Sequence, residues 1–310
     1  MAETVAWDAV LEEVDAHAWR ARVVPLARLD DVKARLAEII RQGGFSTSLA
    51  AYLSKWNRSE LPASPTALSV VVGAVARPLT QAILTWQGAE RMVQVPPHYA
   101  GYRTVPDGLA AAVSAALEPL GYGAARFEPP LKTLATCAGL ARYGRNNIAY
   151  VEGLGSYLML AACVSDAPPP EDAAWSGPQA LERCADCAAC RHACPTAAIR
   201  ADRFLLHTGR CLTLHNEDTE PLPLWIDPRW HHVAVGCLRC QLACPENATV
   251  ELEIAPPERL DEAETAAILA GEPAEGRTPE TQAKMGRCGL DYSPELIARN
   301  LRLLLEQTGT

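Results

Sequence analysis

Eight of the eleven cysteines fall into two related runs plus one outlier, and this pattern constrains the fold more than any other feature. The first run, CADCAACRHACP, is Cys184-x2-Cys187-x2-Cys190-x3-Cys194-Pro195. The second, CLRCQLACP, is Cys237-x2-Cys240-x3-Cys244-Pro245 and repeats the latter part of the first. A lone cysteine, Cys211, lies between them in HTGRCLTLHNED. The N-terminal stretch MAETVAWDAVLEEVDAHAWRARVVPL has no apolar run of signal-peptide length and no twin-arginine pair. No stretch approaches about 18 uninterrupted apolar residues, so no membrane partner is expected. The expectation is a cytoplasmic protein, where disulfides are rare and clustered thiols hold metal.

The spacing decides between zinc and iron. Zinc takes two Cys-x2-Cys pairs, whereas the first run places a third and fourth thiolate where zinc has no use for them. The same spacing marks bacterial ferredoxins, where three close thiolates hold one [4Fe–4S] cube and the proline-linked cysteine ligates a second. Two-residue gaps let the backbone wrap one corner of a cube, and the next cysteine is expected to start a helical turn and point away. Two cubes need eight thiolates; the runs supply seven, and Cys211 is the candidate eighth. Crossed ligation gives cluster 1 as Cys184, Cys187, Cys190 and Cys244, and cluster 2 as Cys194, Cys211, Cys237 and Cys240. Cys137, Cys163 and Cys288 read as buried apolar residues. His192, His231 and His232 flank the runs, but eight cysteines already suffice, so they read as solvated or hydrogen-bonded side chains. Trp225 and Trp230 read as packing residues.

With 310 residues, the chain suits more than one core. Hydrophobic content of 49% against 21% charged residues predicts a packed protein, and a net charge of −9 gives no general support for nucleic-acid binding. Helices are expected over 5–19, over 30–41 with Asp30 or Asp31 as N-cap, over 106–123 with a closing glycine, and over 130–144. ALSVVVGAVA (67–76) reads as a buried strand, 81–95 as two strands around a glycine turn, and 147–164 as two strands around Gly153 and Gly155. No glycine fingerprint opens a βαβ unit, so the expected class is an α+β sandwich. SDAPPPEDAAWSGPQ (165–179) reads as a linker. The chain is therefore divided into an α+β domain (1–170), a double-cluster ferredoxin-like domain (171–255) and an acidic tail (256–310) whose last helix, 294–307, is capped by Ser293.

AGLARYGRNNIAYVEGLGSYLMLAACV (138–164), followed by the linker and this order of cysteines, resembles the epoxyqueuosine reductases and the related reductive dehalogenases. The resemblance implies a nitroreductase-like α+β domain holding base-off cobalamin, with no histidine below the cobalt, and it implies the same crossed cluster ligands. Arg145 and Asn146 are the candidate cobalamin contacts, because they lie in the matching segment and follow a glycine at a turn. Tyr102, Arg103, Lys132 and Tyr143 are further polar groups near the expected pocket. The family's aspartate proton donor has no match: the position falls near Ala125 in GAARFEPP. Glu128 and Tyr143 stand as the candidate catalytic residues, and the simpler reading of Glu128 is a charge at a strand end.

The leading expectation is an enzyme: an iron–sulfur oxidoreductase passing electrons through two [4Fe–4S] clusters to cobalamin, which reduces an epoxide, a halide or a similar electrophile. A ferredoxin- or flavodoxin-type protein would supply the electrons, and a small molecule or modified nucleoside would be the substrate. The missing aspartate keeps open a non-catalytic electron-transfer or corrinoid-handling role, since opening an epoxide needs a general acid. Reduction of epoxyqueuosine in tRNA is the third reading. Residues 251–310 carry twelve acidic and six basic side chains, which argues against a tRNA partner.

Overall fold

ALSVVVGAVA has no polar face, and it forms the inner strand of a sheet covered on both sides. In the computed structural model, which describes residues 5–43, 45, 47–56, 60–202 and 204–306, the strands are β1 (Trp19–Pro25), β2 (Ser69–Ala76), β3 (Thr80–Trp86), β4 (Ala89–Val95), β5 (Ala124–Phe127), β6 (Arg142–Tyr143), β7 (Ala149–Tyr150), β8 (Leu158–Ser165) and β9 (Glu258–Leu260). The helices are α1 (Trp7–Ala16), α2 (Arg28–Gln42), α3 (Thr47–Trp56), α4 (Val105–Leu117), α5 (Leu131–Cys137), the short α6 (Ala189–Ala193), α7 (Leu212–Asn216) and α8 (Arg239–Leu242), then α9 (Glu262–Leu269), α10 (Pro279–Cys288) and α11 (Pro294–Glu306). The class is α+β, as the sequence predicts. The chain divides into two units: Met1–Ala76 with Arg103–Cys187, and Arg77–Tyr102 with Ala188–Thr310.

In the first unit an antiparallel sheet runs β1-β2-β8-β5. Successive side chains of a strand face opposite ways. Val70, Val72, Ala162 and Val164 accordingly pack with Leu29, Val32, Leu134 and Ala135 of α2 and α5. Val71, Ala161 and Cys163 pack on the other face with Val10, Val14, Leu109 and Val113 of α1 and α4. Gly73 lets α4 approach: a Cβ there would meet Leu109 Cδ1 at 2.8 Å and Trp19 Cε3 at 3.0 Å.

Three elements differ from expectation. The first helix ends at Ala16, and β1 begins at Trp19 after Ala18 turns the chain at φ 64; no glycine marks that turn. Helix α2 starts at Arg28, so Asp30 and Asp31 lie inside its first turn, beside its unbonded amides, rather than capping it. The helix expected over 130–144 stops at Cys137, and the chain turns through Gly139 (φ 71) into the hairpin β6–β7.

In the second unit β3 pairs with β4 across a turn in which both Gln87 (φ 51) and Gly88 (φ 75) are left-handed, the geometry that matches strand twist in a two-residue hairpin. β9 adds to the other edge of β3 in parallel. Leu84, Val93 and Val95 of the hairpin pack with Ile268, Met285, Ile297 and Leu301. Residues 256–310 were expected as an acidic tail; their described part supplies α9, α10 and α11 to this core instead. Asp261 and Glu264 form a reciprocal capping box on α9. Helix α11 begins at Pro294 as expected, and residue 307 lies outside the described residues. Instead of three consecutive blocks, the fold groups the hairpin 77–102 with 188–310, because β3 pairs with β9 across more than 170 residues. Among the described residues no helix is long and apolar enough to cross a membrane.

Candidate metal centre

The sequence repeat is also a repeat of backbone conformation. Ala188 (φ −120, ψ 5) and Leu238 (φ −111, ψ −9) precede α6 and α8, which carry Cys190 and Cys240. The proline-linked cysteines then leave in extended conformation, Cys194 at φ −83, ψ 108 and Cys244 at φ −78, ψ 123. Helices α6 and α8 pack against each other. One expectation needs correcting here: Cys194 closes α6 rather than starting a helical turn, while Cys244 does precede the single turn Pro245–Asn247. The helices are too short to carry a thiol further along the same axis, so the extended cysteine redirects it.

Among the described residues none of the eleven cysteines is joined in a disulfide. Burial pushes Cys237 up to about 11; the Arg239 amide pulls it back, and the neighbouring Cys211 and Cys194 push it up again. Burial likewise raises Cys211, the Thr213 and Leu214 donors lower it, and Cys194 raises it. Cys194 Sγ lies 3.4 Å from Thr196 Oγ1. Half-buried, neighbouring thiols, each with N–H or O–H groups directed at it, fit a cationic cluster that replaces the protons and accepts thiolates. These thiols are neighbours rather than convergent: among the described residues, no three His, Cys, Asp or Glu side chains gather around a single ion.

The surroundings of Cys211 and Cys237 are fixed by residues that spacing alone does not single out. Asn216, at the end of α7, donates to the Gly236 carbonyl at 2.7 Å. Asn300, fully buried on α11, donates to the carbonyls of Asn216 (3.0 Å) and Ala234 (2.9 Å). Arg210 donates to the Thr196 carbonyl at 2.6 Å and lies over the Trp225 ring. Tyr99 hydrogen-bonds Glu217; burial, then Glu217, holds its hydroxyl well above the usual range. The signal for Asn300 was legible in hindsight, as a polar residue inside the apolar stripe of LIARNLRLLL.

In the first unit the turn between β6 and β7 reaches Cys184. The Arg145 amide donates to Cys184 Sγ at 3.4 Å, and its guanidinium donates to the Cys184 carbonyl at 2.7 and 3.2 Å. Asn146, also buried, donates to the Tyr150 hydroxyl at 2.9 Å and accepts from the Ile148 amide at 3.3 Å. Both residues named as cobalamin contacts are thus engaged within the chain. Lys132 donates to the Asn147 carbonyl, and the Tyr143 hydroxyl lies 3.4 Å from Thr133 Oγ1, with burial raising its pKa. These four gather around one hairpin. Tyr102 belongs to the second unit and packs on Tyr292. The Arg103 carbonyl accepts from Arg126, which also pairs with Asp107 and Glu128.

His192 is exposed. His232 accepts the Leu238 amide at Nε2 (3.2 Å) and faces the Trp230 carbonyl with Nδ1 (3.2 Å), which defines its tautomer and pins the start of α8. His231 is buried, and neither ring nitrogen has a hydrogen-bond partner among the described residues. Cys137, Cys163 and Cys288 are buried in apolar clusters or beside them, with burial pushing Cys163 and Cys288 up to about 12. Trp225 is half exposed.

Residues 183–247 match the family described as a 4Fe-4S double cluster binding domain. The epoxyqueuosine reductase of Synechococcus sp. (strain RCC307) is 36% identical over 120 residues, 37% of this chain and 34% of that protein. The chain thus aligns with about a third of the length of this relative. The structure of epoxyqueuosine reductase from Bacillus subtilis superimposes with a TM-score of 0.65 at 19% identity, over 96% of this chain and 80% of that one. An epoxyqueuosine reductase crystallised with a tRNA-Tyr epoxyqueuosine-modified stem loop gives 0.63 at 18% identity, with the same coverage. The structural likeness shows the shared fold, and residues 183–247 carry the double-cluster domain that the cysteine spacing predicts.

Proposed function

We propose that this chain is an iron–sulfur reductase that conducts electrons through two [4Fe–4S] clusters. Cys184, Cys187, Cys190 and Cys244 hold the first cluster, and Cys194, Cys211, Cys237 and Cys240 hold the second. The observation that carries the reading is the proximity of Cys194 to Cys211 and Cys237, and of Cys211 to Cys237, close enough that the first raises both others, which groups the lone cysteine with one member of each run. Crossed ligation explains that grouping; two separate zinc sites, one per run, do not. Clusters tied together through shared runs lie close enough to exchange electrons. An external low-potential protein of the ferredoxin or flavodoxin class supplies them.

Cobalamin is the acceptor suggested by the resemblance. The side chains of Arg145 and Asn146 are directed at Cys184 and Tyr150, so neither fits as a contact to a corrin. A cobalamin titration of the reconstituted chain, followed by dithionite reduction, tests it directly: retained corrinoid with a base-off spectrum supports the cofactor, and no retention on dialysis removes it. For the substrate, an electrophile of the epoxide or halide type remains the reading. Reduction of epoxyqueuosine in tRNA is favoured by the activity named for the relatives and is tested by turnover on the modified stem loop.

A non-catalytic electron-transfer or corrinoid-handling role is the reading that the candidate acids favour. Glu128 is ion-paired with Arg126, and Tyr143 is half-buried beside Thr133. Neither stands ready as a proton donor. If Glu128→Gln and Tyr143→Phe leave turnover intact, neither residue is the acid; loss of turnover with normal iron content assigns that role.

A further inference from the structure

We propose that Arg145 tunes the reduction potential of the cluster held by Cys184, an inference that rests on the two-cluster reading above. The turn that carries it is rigid. Gly144 donates to the Ile148 carbonyl and accepts from the Asn147 amide, each at 2.9 Å. A Cβ on Gly144 would come within 2.6 Å of the Tyr150 ring. Asn147 takes a left-handed conformation at φ 63, and buried Asn146 is bonded at both ends of its amide.

The turn is also tied to the segment that delivers Cys184. Tyr143 donates its amide to the Gln179 carbonyl at 2.8 Å and accepts from the Leu181 amide at 2.9 Å. The residues ahead of the cysteine are thus held to β6 by a parallel bridge between Tyr143 and Ala180. From this fixed position Arg145 makes three bonds to one residue: its amide to the sulfur, and two guanidinium N–H groups to the carbonyl.

A one-electron reduction adds negative charge to a cluster and its thiolates. An amide aimed at a ligand sulfur, with a guanidinium a few bonds away, stabilises that charge and raises the potential. Arg145 is therefore a positioning and electrostatic residue for the first cluster.

The test uses the full chain, reconstituted anaerobically, with midpoint potentials read by EPR-monitored titration beside iron counts. In Arg145→Gln one of the two midpoints falls: at a fixed poise the reduced-to-oxidised ratio of that cluster drops roughly tenfold, about 59 mV for one electron, while the other midpoint and the iron content stay put. Arg145→Lys keeps the charge, loses the fork and recovers part of the fall. Unchanged midpoints in a fully loaded Gln variant overturn the proposal. Where the Gln variant fails to hold its clusters, the Lys variant decides: a partly lowered midpoint supports the role, and an unchanged one overturns it. Failure of the underlying two-cluster reading shows separately, as a wild-type chain with only about four irons.

Discussion

The ring of Tyr99 lies over Gly236, the residue before Cys237, at a left-handed position (φ 69) where a Cβ would come within 2.7 Å of Tyr99 Cε2. Tyr99 is only 2% exposed, so it has nowhere to move. Gly236→Ala therefore combines backbone strain with overpacking, a cost of about 3 kcal/mol. It also shifts the cysteine that follows. The expected result is a lower melting temperature and a selective loss of iron from the second cluster, measured by thermal denaturation and iron content.

Asn300 on α11 and Asn216 on α7 couple the C-terminal segment to the metal centre. Asn300→Leu fits the apolar surroundings but leaves the Asn216 and Ala234 carbonyls without their donor. Burying unsatisfied carbonyls costs about 1–3 kcal/mol each. The variant should release iron faster than wild type under chelator challenge, and the iron lost first should belong to the cluster containing Cys211. Equal release rates would show that α11 only packs.

His231 gives the chain an acid-sensitive limb. Burial first, then Arg299 and His232, push its pKa from 6.5 down to about 4. Below pH 6.5 the unfolded chain takes up a proton that the folded chain refuses. Stability is thus fully present above 6.5 and is lost as the pH falls toward the folded value. His231→Leu removes both the unpartnered ring nitrogens and this proton uptake. The stability difference between pH 7 and pH 4.5 should shrink by on the order of 2 kcal/mol, read by denaturant unfolding at the two pH values.

The parts of the fold legible in sequence are those written locally. The strand 69–76 and the hairpin around Gly88 show in periodicity and turn chemistry over a few residues, and the cysteine framework shows in spacing. What sequence did not show depends on distant partners or on an unmarked turn. Ala18 turns the chain into β1 without a glycine. The segment 256–310 looks acidic, yet its buried Leu296, Ile297 and Leu301 complete a core that begins in the hairpin at Leu84. Arg145 reads as a ligand contact because it follows a turn glycine; its partner, Cys184, lies 39 positions away. Asn300 is the clearest missed clue, since a buried amide in an apolar stripe needs distant carbonyls to accept from it.

The central claim is that Cys211 completes a second cube with thiolates drawn from both runs. Iron and acid-labile sulfide should be counted in anaerobically reconstituted wild type and Cys211→Ala, with zinc assayed alongside. The account predicts about eight irons in the wild type and about four in the variant. Zinc in the wild type, or about four irons in both proteins, contradicts it.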